Sequence, residues 1–220
     1  MPYPARPAHH PAARHSAWFA LLTVLLFGIF LLRAGTAGPA AGPPSPRAEA
    51  AVPHRTASAG ARPAAPEPLP RAAPRRIAVP SLRLDAPLIR VGLGPDGLIA
   101  APPPADAQRA GWYTGAAAPG ERGTAVVVGH VDDAAGPAVF YPLGSLARGS
   151  RVEVPRDDGR TAVFTVYGVE TFPRSGFPAD RVYRDGPGAE LRLITCGGRY
   201  SAGSGYESNV VVFARLTGVR

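Results

Sequence analysis

The sequence predicts an all-β domain, a closed barrel or a two-sheet sandwich, preceded by one transmembrane helix. Three observations carry this. Between residues 76 and 214 there are seven short runs of strand length and strand composition, punctuated by Gly, Pro and Asp. Helical periodicity is nearly absent from the same region, apart from a short turn around Leu143–Leu146. Upstream, an uncharged apolar run is followed by a long stretch with almost no large apolar side chain.

In chain order, residues 1–16 come first as a short N-terminus. It holds Arg6, Arg14 and three histidines and no acid, which predicts that it stays on the cytoplasmic side. Residues 17–32 read AWFALLTVLLFGIFLL, with no charge and one hydroxyl, Thr23. As a helix this run rises about 24 Å at 1.5 Å per residue, close to a bilayer core once Ser16 and the snorkelling Arg33 are added. Residues 17–33 are therefore expected to be a single-pass signal anchor. A cleaved signal peptide is the competing reading, since Gly35-Thr36-Ala37 is a passable cleavage site. Both readings export the rest of the chain.

Residues 34–73 are Ala, Pro, Gly, Ser and Arg in the main. Such a segment buries too little surface to offset chain ordering, so a disordered Pro/Ala-rich stalk is expected. Residues 74–220 form the expected folded domain. Its strand candidates are Arg76–Pro80, Ala86–Val91, Thr124–Val128, Arg151–Val154, Thr161–Tyr167, Glu190–Thr195 and Val210–Ala214. Asp157-Asp158-Gly159 lies between two alternating runs and reads as a hairpin turn. Seven or eight strands in this length suit a closed barrel or a sandwich.

Composition narrows the function. All of the 24 basic Lys/Arg positions are Arg, and the formal net charge is +8. Residues 1–70 hold six Arg and two Glu, so half of the excess lies outside the expected domain. No Arg cluster is interleaved with aromatics, and no nucleic-acid motif is present, so nucleic acid is excluded as a partner. One cysteine rules out an intramolecular disulfide framework and a cysteine-based zinc cluster. No set of ligand-type side chains has metal spacing, and neither a metal nor a cofactor is expected.

The chemistry rests on two residues. Four of the five histidines precede the domain, which keeps one, His130, and the chain's one cysteine, Cys196. His130 follows the run Val126-Val127-Val128-Gly129, and Cys196 follows Leu193-Ile194-Thr195. A thiolate is the nucleophile in cysteine catalysis, and it needs a base or a cation beside it. Histidine supplies either, and it returns a proton to a leaving amine. Gly197-Gly198 follow the cysteine and leave backbone N–H groups unobstructed, which suits an oxyanion site at Gly197. Against this stands the plainer reading, in which each is a structural residue at a strand end.

These residues resemble the sortase family. Leu193-Ile194-Thr195-Cys196 matches the L-x-T-C core of the sortase signature, and Val128-Gly129-His130 matches its strand-end histidine. Asn209 to Ala214 is similar to the last sortase strand. The segment Leu191–Gly198 (LRLITCGG) is most similar to class F, with class E the nearest relative. The resemblance spans about residues 74–220 and implies a cysteine transpeptidase on an eight-stranded barrel. It implies exported protein substrates with an LPXTG-like C-terminal sorting signal, which Cys196 attacks to form a thioester while His130 protonates the departing amine. An amine acceptor, such as a cell-wall precursor or another protein, then takes the acyl group.

Two positions depart from the pattern. Arg192 stands where the signature begins with Thr. The family's third catalytic residue, an Arg opening the final strand, falls on Asn209 here. Arg199, or Arg192 if it points inward, is the alternative source of that charge. The segment Gly168–Ala189, with Phe172-Pro173 and Phe177-Pro178, is the expected wall of the signal groove. Asp132 and Asp133 follow the histidine and read as turn acids or as its partner. The competing function is a catalytically inactive anchored barrel that binds peptides or wall polymers.

Overall fold

The structure is a computed structural model that describes residues 22, 24–26, 42–52 and 65–220. It divides into two units, Met1–Ala41 and Gly42–Arg220. In the first, Leu22, Val24, Leu25 and Leu26 are helical and exposed. The remainder of the expected 1–16 terminus and 17–33 anchor lies outside the described residues. No helix among the described residues is long and apolar enough to cross a membrane.

In the second unit the chain closes a barrel. Its strands are β1 (Arg76–Val79), β2 (Leu84–Val91), β3 (Ala110–Tyr113), β4 (Gly123–Val128), β7 (Arg151–Pro155), β8 (Thr161–Pro173), β9 (Ala189–Ser201) and β10 (Gly205–Val219). A separate two-stranded ribbon, β5 (Asp132–Asp133) with β6 (Gly136–Pro137), follows β4. The barrel order is β1-β2-β3-β4-β9-β10-β8-β7, closed by β1 against β7 at Ala78 and Glu153. The fold is thus all-β, with eight strands in the barrel. A five-residue helix, α1 (Ala179–Tyr183), and a 3-10 turn at Tyr141–Ser145 are the main helical pieces of this unit.

Every expected strand is present. The sequence reading missed β3, whose four residues A-G-W-Y show no alternation because three of them are buried outright. It also cut β8 short. Gly168–Pro173, expected as connection, continues β8 along β10 from Val212↔Val169 to Ser208↔Pro173. The connection to β9 is correspondingly shorter and contains α1.

The period of two along each strand builds two apolar faces. Ala125, Val127, Leu191, Leu193, Val210 and Val212 point inward and join Ile77, Val152, Phe140 and Phe164 in the barrel core. The alternate residues Val126, Val128, Ile194, Val211 and Phe213 point outward and form a second cluster with Phe172 and Val182. An outer apolar face on β4, β9, β10 and β8 is therefore covered by the connection that carries α1.

Residues from the proline-rich stretch lie on the barrel. Ala50 is buried, and the Val52 N–H donates to Glu170 (3.1 Å). A Cβ at Gly168 would stand 2.2 Å from Val52 Cγ2, so only glycine admits this contact. Further on, the Leu69 N–H donates to the Gly120 carbonyl, and the buried Arg156 donates to the carbonyls of Pro70 and Pro119. Arg156 also pairs with Asp158 at 3.0 Å in the β7–β8 turn and holds its carboxyl well below the usual range.

Candidate active site

The parallel pairing of β4 with β9 sets the site. Val126 opposes Arg192 and Val128 opposes Ile194, so the strands run together until β4 ends. The next two residues of each chain are Gly129-His130 and Thr195-Cys196. The Gly129 N–H donates to the Ile194 carbonyl (3.1 Å), and the Thr195 hydroxyl donates back to the Gly129 carbonyl (2.9 Å). The histidine, just past the end of β4, and the cysteine, on β9, are thus brought to the same end of the strand pair. Gly129 has no room for a side chain, since a Cβ would stand 2.6 Å from Phe140 Cδ2.

Cys196 is not at a strand end, as the sequence suggested. β9 continues to Ser201 and pairs with β10 on both sides of a register shift after Gly197. The end that matters is that of β4: its cover stops at Val128, and the thiol emerges beyond it as a half-buried free cysteine. Cys196, Asn209 and Phe172 form one row across β9, β10 and β8 on the outer face. Asn209 is therefore the cysteine's direct cross-strand neighbour and lies inside β10, which opens at Gly205.

The His130 Nε2–H donates to the Pro102 carbonyl at 2.7 Å, in the connection between β2 and β3. No described hydrogen bond joins the ring to Cys196. Burial pushes the Cys196 thiol above its ordinary value, and Asp132 adds to that. Arg174 opposes it. Sequence reasoning did not single out this arginine. It follows β8 directly, two residues beyond Phe172. Its N–H donates to the Glu207 carbonyl (2.9 Å), and its Nη1 lies 3.5 Å from the Tyr206 carbonyl.

The other arginines are placed differently. Arg192 does not reach the cysteine. It is buried, stacks 4.7 Å from the Phe213 ring, and donates to the Val182 carbonyl and to Glu190. It holds α1 against the sheet. Its neighbour Tyr167 donates to Glu190 (2.9 Å), and burial pushes the phenol up to about 12. Arg199 is exposed in β9, where its backbone N–H donates to Glu207. Only the pairing of β8 with β10 brings Arg174 to the cysteine, and no spacing along the chain shows this.

The glycines after the cysteine have packing reasons. A Cβ at Gly197 would stand 2.7 Å from Val210 Cγ2, and Gly198 sits at φ +79° beside a register shift in β10. The two acids after His130 separate in role. Asp133 accepts from the N–H groups of Ala135 and Gly136, a turn function. Asp132 instead accepts a hydrogen bond from the Tyr206 hydroxyl on β10.

A cavity of about 730 Å³ opens on the same outer face, floored by Val126 and walled by Leu93, Leu98, Ile99, Tyr113 and Tyr183. It does not contain Cys196 or His130. Val126 is four residues before His130 on β4, which is about 13 Å along a strand. The phenylalanines expected in such a groove pack on each other instead: Phe172 and Phe177 are edge-to-face at 6.0 Å. No group of three metal-ligating side chains occurs among the described residues.

The fold is shared with proteins of known structure. Sortase A of Listeria monocytogenes is 18% identical, with a TM-score of 0.50 over 69% of this chain and 90% of that one. Sortase A of Corynebacterium diphtheriae, as a lid mutant, is 17% identical, with a TM-score of 0.51 over 68% and 73%. Sortase C-1 of Actinomyces oris is 19% identical, with a TM-score of 0.50 over 65% and 73%. At these identities the likeness concerns the fold. None of the curated proteins matches the sequence. The sortase domain family, however, matches over residues 77–217, nearly the whole barrel. The chain belongs to the sortase family of cysteine transpeptidases.

Proposed function

We propose that this sortase acts outside the membrane, held there by residues 17–33, and that it cleaves an LPXTG-like C-terminal sorting signal and passes the protein to an amine. The observation that carries the reading is that His130 follows the end of β4 beside Cys196 on the parallel strand β9, the two segments being tied together by Thr195.

The reaction balances as two acyl transfers. The Cys196 thiolate adds to the threonine carbonyl of the signal and forms a C–S bond. As the oxyanion collapses, the C–N bond breaks and the His130 imidazolium gives its proton to the departing amine. An acceptor amine then adds to the thioester, its proton passes to His130, and the thiolate leaves. Arg174 is the cation that favours the thiolate and the oxyanion, and the Asn209 amide, directly across from Cys196, is a second donor. Arg199 is the more distant alternative, its backbone engaged with Glu207. The cavity along β4 has an apolar part, Leu93, Leu98, Ile99 and Val126, that suits the Leu-Pro part of the signal, and a charged part, Arg71, Glu121, Arg122 and Asp185, that suits its polar residues.

The test is a panel of LPXTG-like peptides with an added amine, incubated with the full chain in detergent and read by mass spectrometry. A thioester on Cys196 and an amine-linked product are expected, and both vanish in Cys196→Ala. Absence of any adduct across the panel sinks the transpeptidase reading and favours the inactive binding barrel.

A further inference from the structure

The β5–β6 ribbon begins two residues after His130 and brings an acid toward the cysteine. Asp132 is its first residue, and its carboxylate accepts a hydrogen bond from the Tyr206 hydroxyl. Tyr206 belongs to β10, the strand hydrogen-bonded to β9 beside Cys196. The contact therefore joins the turn carrying the histidine to the strand pair carrying the cysteine, 74 residues apart in sequence. It sits beside a register shift between Tyr206 and Ser208, where β10 departs from regular pairing with β9. Such irregularities re-aim a side chain out of the ladder.

Tyr206 is held independently of this hydrogen bond. Its ring meets Tyr200 edge-on at 5.2 Å, and its carbonyl faces Arg174. It is thus a fixed post, whereas Asp132 sits on a two-residue strand. A bare carboxylate near a thiol opposes formation of the thiolate. A phenolic donor on Asp132 moderates this effect and fixes the carboxylate in place.

We infer that the Tyr206–Asp132 hydrogen bond is a positioning clasp that sets the approach of His130 to Cys196 and moderates the Asp132 charge beside the thiol. The inference rests on Cys196 as nucleophile and His130 as its acid, and adds two residues that act through them. The charged and titratable groups facing the thiol are Arg174 beyond β8, Asp132 on β5 and Tyr206 on β10, and His130 follows the end of β4, the strand paired with β9. Tyr141, on the 3-10 turn, faces Tyr206. Asp133 and Glu207 are committed to backbone N–H groups.

The test uses two conservative variants of the full chain. Tyr206→Phe keeps the ring and its packing on Tyr200 and removes the hydroxyl. Asp132→Asn keeps an acceptor for that hydroxyl and removes the charge. Because the chain has one cysteine, the pH dependence of alkylation by iodoacetamide reports Cys196 alone. In Tyr206→Phe the alkylation midpoint is expected to rise, and in Asp132→Asn to fall. With a cleaved peptide, Tyr206→Phe is expected to lower kcat about tenfold with KM within about twofold. Midpoints that do not move, or that move in the same direction, overturn the clasp, as does an unchanged kcat in Tyr206→Phe. A wild type that cleaves no peptide defeats the transpeptidase reading, while the opposite alkylation shifts still support the clasp.

Discussion

The hydroxyl of Thr195 donates a 2.9 Å hydrogen bond to the carbonyl of Gly129, so the residue before the cysteine is bound to the residue before the histidine. Two short motifs, 66 residues apart, thereby become one site. The bond lies at the end of β4, where backbone pairing with β9 stops and a side chain takes over.

Thr195→Val tests this tie, since valine matches the shape of threonine and lacks only the hydroxyl. The Gly129 carbonyl would be left buried without this partner, which costs about 1–3 kcal/mol. The expected outcome is a lowered Tm and a kcat/KM reduced by about ten- to a hundredfold, because the reacting pair drifts out of register. Thermal unfolding and peptide cleavage measure the two effects. Loss of stability with full activity would show that the bond serves the barrel only.

Burial raises the Cys196 thiol, and Arg174 is the group that opposes this. Alkylation of Cys196 should therefore have its midpoint above the value of about 8.5 for a free cysteine. Arg174→Ala should move it higher and reduce kcat/KM more than Arg199→Ala does. The same sign governs stability. A thiol whose folded pKa exceeds its unfolded value favours the fold below the unfolded pKa, and that contribution is lost as pH rises through the folded one. Tm should accordingly fall with alkaline pH less steeply in Cys196→Ala than in the wild type. An Arg174→Ala midpoint equal to wild type would remove this arginine from the site.

Gly168 admits Val52 onto the barrel, and a Cβ there would stand 2.2 Å from Val52 Cγ2. Gly168→Ala should displace residues 42–52 while leaving the strands paired. Limited proteolysis is the readout, with cleavage near Val52 expected to accelerate and the barrel fragment to persist. Equal cleavage rates in the two proteins would mean that the segment is held by other contacts.

Much of the barrel was legible because its strands alternate. Residues such as Val152 and Val154, or Leu191 and Leu193, are inward at every second position, and that periodicity survives in the sequence. β3 was not legible, because a strand buried on both sides has no period to show. The β8 extension was hidden by Gly168 and Pro173, which read as loop residues but pair with β10.

The sequence by itself determined the all-β class and the family membership that its motifs announce, and it proposed His130 and Cys196 as the reactive pair. Each of these is local: strand period, residue type and short spacing are written along one chain segment. Tertiary structure alone decided which groups meet the thiol. Arg174 arrives through the pairing of β8 with β10, Asp132 is claimed by Tyr206, and Arg192 is withdrawn beneath α1. Charge acts through space across a few ångströms, and the register of a closed barrel fixes those ångströms.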